Sequence, residues 1–376
     1  MATKAQHNYM NKKRLMIVIW NMDIGGIQKL LRDMLIHIQR TRPSWEVYLV
    51  VKNMDVSIWV KEIQQNTQAR VIYHPYQSKT RLIKSFHFIY WLGTQFIRIR
   101  PDVCLTFLDQ LSIIIAVMRI ILLQYKTKLV LGENVLTSNY VKLNKRPPLI
   151  WNVSIALCYR LAYRILVPSV ACKKDLIKHY HIPKRLLCVV PNWTLIKEVR
   201  IQRKRYDLLF AGRFAKEKNL IALLYLVDRL KYVYPSITLC LIGKGKDEQM
   251  MRSFIRAHNL EKHVIIHGFH PEIAPYYQQS KIYIMTTVNE GMPVSLIEAG
   301  AYYLPSVVTN FPGAPEIIIH GVTGYICNSM VDMEQNILKL LKNRTVRNKL
   351  GNNAHAYVTK LFGRSAIERY TTALLV

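Results

Sequence analysis

Residues 289–301 read NEGMPVSLIEAGA and set Glu290 and Glu298 eight positions apart, in a chain with only 23 acidic residues among 376. A Gly-Met-Pro turn follows the first, and the second stands inside an apolar run. An ionised carboxylate accepts two or more hydrogen bonds, so such a pair suits the hydroxyls of a sugar or a ribose. A second stretch, FAGRFAKEKN (210–219), puts Arg213 and Lys218 five positions apart in a short loop. Arginine offers a planar fork of donors and lysine a compact charge, and together they suit a diphosphate. Glycines recur at similar places, with Gly25 and Gly26 in MDIGGIQ and Gly243 and Gly245 in LIGKGKDE. Glycine lets backbone N–H groups approach a phosphate or sugar at a helix start. MDIGGIQ is not G-x-G-x-x-G, so a dinucleotide fingerprint is not supported. Each feature alone also fits a plainer role: a solvated acid pair, two loop cations, ordinary tight turns.

The elements that must position these residues are legible as apolar runs. RLMIVIW (14–20), EVYLVV (46–51), DVCLTFL (102–108), KLVLGE (128–133) and RILVPS (164–169) read as strands separated by helical patterns. After a polar, basic stretch at 191–205 the pattern restarts, with YDLLFAG (206–212), ITLCLIG (237–243), HVIIHG (263–268), KIYIMTT (281–287) and PSVVTN (305–310). Strands alternating with helices mean parallel α/β sheets, here two doubly wound units, which bind ligands at the carboxyl ends of their strands. Every motif above follows a strand. Pro293 suits the first turn of the helix that carries Glu298.

In order and spacing, AGRFAKEKN, GKGKDE, NEGMPVSLIEAGA, PSVVTNFPGAPEII and GVTGY resemble the donor domain of the family 4 retaining glycosyltransferases (glycosyl transferases group 1). GGIQ, LVPSVACKKDLIKHYHIP and VVPNW resemble the same family in the first half, so the likeness runs over nearly the whole chain. It implies a GT-B fold, two Rossmann-like doubly wound domains facing across a cleft. Residues 1–195 would bind the acceptor, 196–355 the nucleotide-sugar donor, and 356–376 would form a helix packing back toward the first domain. It further implies that Glu290 binds donor-sugar hydroxyls and Glu298 the ribose. Arg213 and Lys218 would hold the diphosphate and stabilise the leaving group. Gly291, Met292, Pro293 and Val294 would lie beside sugar and phosphate, with Gly243 also at the donor and Gly25 and Gly26 closing on it from the first domain. Glu133 and Asn134 stand where many members carry a first-domain His, and positioning of acceptor or donor is the role implied. Tyr303 replaces a usual glycine before LP. The donor would be a UDP- or GDP-sugar and the acceptor lipid-linked or saccharide. The activity would be hexosyl transfer in capsule, O-antigen or lipopolysaccharide synthesis. The sequence has no D-x-D, so the fixed cations would do the work of a metal and no cofactor is expected.

Charge adds a partner. The net charge is +30, with +24 in residues 1–205 and +6 in 206–376. So basic a first half suits an anionic membrane surface. Nucleic acid is not expected, because no binding module accompanies the charge. The stretch 78–100 has Leu82, Phe86, Ile89, Tyr90, Phe96 and Ile97 at helical spacing beside Lys79, Arg81, Lys84, Arg98 and Arg100. It reads either as a core-facing helix or as one at a membrane interface. The longest apolar run, 111–123, is interrupted by Arg119 and reads as a buried helix, too short to span a bilayer. No signal-peptide core is visible before Asn21. The six cysteines lie at least fourteen positions apart and read as reduced, mostly buried thiols. His267 and His270 lack a nearby acidic or Cys partner, so no metal site is expected. The expected place is the cytoplasm, peripheral to the inner face of the membrane. Two rival readings keep parts of this picture: a nucleotide-sugar 2-epimerase-type isomerase on the same fold, and a non-catalytic anionic-membrane binder.

Overall fold

The computed structural model describes residues 12–23, 25–53, 58–75, 81–143, 145–195 and 202–375, without the side chains of 81–84 and 148. The polar start of the chain, Ile24, Lys79 and residues 196–201 of the basic stretch lie outside the described residues, as do the side chains of Arg81, Leu82 and Lys84.

The chain divides into two compact units, one of Met1–Pro168, Cys172–Val190 and Glu368–Val376, the other of Ser169–Ala171 and Pro191–Ile367. In the first half β1 (Arg14–Ile19), α1 (Gly26–Thr41), β2 (Glu46–Val51), α2 (Ile58–Asn66) and β3 (Arg70–Tyr73) come first. There follow α3 (Arg81–Ile99), β4 (Val103–Phe107), α4 (Asp109–Ile121), β5 (Lys128–Gly132), α5 (Thr137–Leu143) and α6 (Pro148–Tyr159). β6 (Arg164–Val167), α7 (Val170–Tyr180) and β7 (Leu187–Val189) complete it. The seven strands pair in the order β3-β2-β1-β4-β5-β6-β7, all parallel.

The second half begins with β8 (Tyr206–Ala211), a 3-10 turn (Lys216–Lys218), α8 (Leu220–Val233), β9 (Leu239–Ile242), α9 (Glu248–Ala257) and β10 (Val264–Gly268). It continues through α10 (Ala274–Gln279), β11 (Ser280–Met285), α11 (Val294–Ala301), β12 (Ser306–Thr309) and β13 (Gly324–Cys327). Three helices close the chain, α12 (Met330–Lys342), α13 (Arg344–Phe362) and α14 (Arg364–Leu375). The six strands pair in parallel in the order β10-β9-β8-β11-β12-β13. Both sheets are the doubly wound α/β kind that the alternating runs required.

The central strands are largely apolar because helices cover both faces of a parallel sheet, and β4 and β8 are buried at every position, Thr106 and Asp207 included. β3, β7 and β13 were not visible as strands in the sequence; they are three or four residues long. All six cysteines are free thiols, five of them buried. Just past Val190, Asn192, Trp193 and Thr194 are buried. Thr194 N donates to Phe362 O (2.8 Å) and Asn192 Nδ2 to Met292 O (2.7 Å), which ties these residues into the second unit.

Two helices depart from expectation. On α3 the buried stripe is Phe88, Leu92, Phe96 and Ile99, while Phe86, Ile89, Tyr90 and Ile97 face outward. On α4, read as buried, Val117, Ile120 and Ile121 are exposed. Helical spacing shows that a stripe exists; a helix apolar on both sides does not say which stripe the sheet takes.

Tyr303, in place of the usual glycine, has φ +63°, in the left-handed region, and its ring stacks on His355 with centroids 3.8 Å apart. Its carbonyl oxygen presses on α13, where a Cβ added to Gly351 would lie 2.2 Å away. A helical Gly→Ala change ordinarily gains about 1 kcal/mol. Overpacking against fixed backbone costs up to about 3 kcal/mol, so the clash wins. Gly351→Ala is expected to destabilise the protein by about 2 kcal/mol, read as a lower urea midpoint at unchanged slope.

Candidate active site

The second unit brings two of the predicted residues into direct contact. Lys218 ends the 3-10 turn after β8, and Glu290 lies in the loop after β11. β8 and β11 are neighbours in the sheet, so residues 72 positions apart in sequence meet at adjacent strand ends. The Lys218 ammonium donates to Glu290 Oε1, and the two side chains are only 12% and 13% exposed. Burial pulls the Lys218 pKa down to about 8; the Arg213 charge adds to this and Glu217 opposes it.

Threonine hydroxyls zip the two loops together. Thr286 Oγ1 donates to the carbonyls of Lys218 (3.1 Å) and Asn219 (3.0 Å). Thr287 Oγ1 donates to Glu217 O (2.8 Å), which also accepts Val288 N–H (3.0 Å). Thr309 Oγ1 then donates to Thr287 O (2.6 Å). From the other side Gly313 packs so closely that a Cβ there would stand 1.9 Å from Gly291 O and 3.2 Å from Glu290 O. Gly291, Met292 and Pro293 are buried, Val294 is half-buried, and Pro293 precedes the first residue of α11.

Glu298, a little more than one turn into α11, is 3% exposed. Its Oε2 accepts the Tyr277 hydroxyl at 3.0 Å. Tyr277 also reaches Ser295 O (3.1 Å), and Tyr283 donates to Ser295 Oγ (2.8 Å). Burial, with Glu298 next, pushes the Tyr277 hydroxyl's pKa well up, so it stays a donor. The plainer reading of a solvated acid pair is therefore excluded for both carboxylates. Arg213 is different. It is exposed and pairs with Glu217 (3.0 Å) on its own turn, not with the buried pair.

Gly243 has a packing reason for being glycine. Its φ is +145°, and a Cβ would stand 1.9 Å from Gly212 O. Gly245 does the same for Phe214 O, at 2.1 Å. The glycine turn thus carries the loop that carries Arg213; Phe214 N–H donates to Lys244 O (3.0 Å).

Four predicted residues lie in the first unit, after its strands. Gly25 precedes α1, whose first residue is Gly26 and whose first turn holds no acid. Gln28 Nε2 ties that turn to Asn21 Oδ1 (3.2 Å). Glu133, after β5, is 2% exposed and faces the unit's interior. It accepts the Tyr159 hydroxyl and, at 3.2 Å, the Thr137 hydroxyl. Burial raises its pKa to about 8; the Tyr159 bond opposes this and Asp109 reinforces it. Asn134 beside it is half-buried. Among the described residues no three His, Cys, Asp or Glu gather as a metal-holding group. His267 instead shares a hydrogen bond with the Tyr206 hydroxyl (2.9 Å).

Thr286, Thr287, Asn192, Tyr277 and Gly313 were given no role from the sequence, although Asn192 lies in VVPNW, Gly313 in PSVVTNFPGAPEII and the two threonines end the apolar strand KIYIMTT.

Glu290→Ala would leave the Lys218 ammonium buried without its partner. Removing one partner of a fully buried pair costs about 3–5 kcal/mol; with this pair's residual exposure a loss of about 2 kcal/mol at pH 7 is expected. Lys218 titrates lower when folded than its ordinary 10.5. From about 8 to 10.5 the unfolded chain therefore holds more protons, and stability from this group rises with pH. The penalty of the variant should shrink as pH climbs through about 8, which urea melts at pH 7 and 9 would show.

Two family profiles match, "Glycosyltransferase Family 4" over residues 24–194 and "Glycosyl transferases group 1" over 191–357. An uncharacterized glycosyltransferase of Haemophilus influenzae is 28% identical over 156 residues, 41% of this chain and 44% of that protein. The UDP-N-acetylglucosamine–peptide N-acetylglucosaminyltransferase GtfA subunit of Streptococcus pneumoniae is 28% identical over 160 residues, 42% of this chain and 32% of that one. These matches span less than half the length of either curated relative. Among solved structures, Anabaena Alr3699/HepE in complex with UDP and glucose superposes with TM-score 0.78 at 15% identity, covering 95% of this chain and 98% of that one. A mutant of S. aureus TarM in a complex that includes UDP gives TM-score 0.78 at 11% identity, over 97% and 100%. At such identities the likeness establishes the fold, GT-B. With one profile on each half of the chain and the fold shared end to end, the protein belongs to the family 4, group 1 glycosyltransferases.

Proposed function

We propose that this chain moves a hexose-type sugar from a UDP- or GDP-sugar to a lipid-linked or saccharide acceptor in surface polysaccharide synthesis, with retention at the anomeric carbon. The observation that carries the reading is the buried Lys218–Glu290 pair at the ends of β8 and β11. Each member is the natural partner of one part of the donor. A diphosphate takes the ammonium, and sugar hydroxyls take the carboxylate. Donor entry exchanges one internal ion pair for two such contacts, so neither charge is left alone in a dry place.

In the step itself the bond from the anomeric carbon to the diphosphate oxygen breaks, and the acceptor oxygen bonds to that carbon on the same face. The acceptor's proton passes to the departing phosphate, so no enzyme nucleophile is needed. Lys218, with Arg213 swinging from Glu217, offsets the charge that grows on the leaving group; we assign this work to fixed cations, with no metal required. Glu298 takes the ribose hydroxyls, oriented by Tyr277. UDP in the HepE and TarM structures supports a nucleoside diphosphate donor. The basic first half supports an acceptor at the inner face of the cytoplasmic membrane, with the protein peripheral to it.

A thermal-shift and turnover screen with UDP- and GDP-sugars in EDTA tests this. One donor class should stabilise wild type and release nucleotide, while Lys218→Ala and Glu298→Ala lose the shift and at least about 100-fold in kcat/KM. No shift with any nucleotide sugar would sink the reading. Turnover that needs a divalent ion would remove the fixed-cation part. Because the free enzyme's Lys218 sheds its proton near pH 8, kcat/KM should fall as pH rises through about 8. Profiles for wild type and Lys218→Arg would check this, the arginine variant lacking that limb.

A further inference from the structure

We propose that the outward faces of α3, α4 and α6 form one docking surface for a bilayer rich in anionic headgroups. The inference rests on the peripheral part of the reading above and names the surface that would serve it.

Topology puts the three helices on one side of the seven-stranded sheet. From β1 the chain winds one way through β2 to β3, then crosses to β4 and winds the other way to β7. Right-handed crossovers place α1 and α2 on one face and α3, α4 and α6 on the opposite one. The packing agrees. A Cβ on Gly93 of α3 would touch Met118 of α4 at 3.9 Å. Trp151 of α6 donates its indole N–H to Asp109 of α4.

The sides turned away from the sheet are apolar. Eleven large hydrophobic side chains on these three helices are exposed, among them Tyr90 at 74%, Ile121 at 71% and Leu149 at 77%. Single exposed apolar residues are ordinary, but runs of them on three adjacent helices mark an interaction surface. No described helix is long and apolar enough to cross a membrane, so a bilayer partner would be met lying on its surface.

Charge selects the occupant. Among the described side chains from 85 to 160, Arg98, Arg100, Lys126, Lys142, Lys145 and Arg160 are exposed, and of the acids there, Asp102, Asp109 and Glu133, Asp102 alone is exposed. Asp109 and Glu133 are buried, and Asp102 accepts Arg14 N–H at 2.7 Å. A second copy of the chain would set this cationic face against itself. Nucleic acid would meet the cations but leave the aliphatic side chains in water. An anionic bilayer takes both: apolar side chains enter the headgroup–acyl boundary, and Arg98 and Lys145 beside them reach the headgroups.

Co-sedimentation with vesicles of phosphatidylglycerol and phosphatidylcholine, against phosphatidylcholine alone, tests the surface. Wild type should pellet with the anionic vesicles and be released by salt. Ile121→Glu with Leu149→Glu, and separately Arg98→Glu with Lys145→Glu, should each weaken partition about ten-fold or more. All four positions are exposed, so the melting temperature and any nucleotide-sugar shift should stay unchanged. Equal binding to neutral vesicles, or variants that bind like wild type, would overturn the proposal. So would a self-association in light scattering that the Ile121/Leu149 variant abolishes while vesicles bind neither protein. Donor turnover without vesicle binding would remove the surface and leave the transferase; vesicle binding without a donor shift would do the reverse.

Discussion

Two opposite charges nearly withdrawn from water dominate the second unit. A buried ammonium or carboxylate costs several kcal/mol when alone, so Lys218 and Glu290 are tolerable only together. That demand reaches far into the fold. The strands that deliver them must be neighbours, which the β8–β11 pairing provides. The two loops must keep register, which the hydroxyls of Thr286 and Thr287 enforce on the carbonyls of 217–219. The backbone around Glu290 must admit another loop at contact distance, which only a glycine at 313 allows. The pair is thus held by the strand order, by the hydroxyls of the two loops and by one close-packed glycine.

How much of this was legible follows from what each residue does. Buried parallel strands are apolar runs bounded by turns, so β1, β2, β8 and β11 stood out. β3 did not, because an edge strand of four residues with no fully buried position leaves no run to see. The charged site residues stood out by type, since Glu298 in an apolar helix and Lys218 after a strand have few other reasons to be there. The residues that hold them did not. Thr286, Asn192 and Gly313 work through backbone atoms that the fold brings close, and nothing local marks them. Gly243 was visible as a glycine in a turn after a strand; its close approach to Gly212 was not. On α3 and α4 the period was clear and the inward face was not, because both sides of each helix carry large apolar residues.

The first unit presents a converse case, since its sequence is strongly basic while Asp109 and Glu133 are buried. Asp109 follows β4 and Glu133 follows β5, and both carboxyl groups take their partners from α6, one from Trp151 and the other from Tyr159. These bonds pin α6 at its first and last turns to the carboxyl edge of the sheet. Burial raises the Glu133 pKa to about 8, so this carboxyl is mostly uncharged at neutral pH and adds little negative field. Internal polar contacts that fix the helix therefore also set which of its faces meets water. On α6 Leu149, Ile150, Val153 and Leu157 are exposed, while Ile155 and Tyr159 are buried and Trp151 and Tyr159 donate to Asp109 and Glu133. The rotation of α6 is thus fixed by two polar contacts as well as by Ile155 and Cys158 in the core, and a substitution at Asp109 or Glu133 would remove one of those polar contacts.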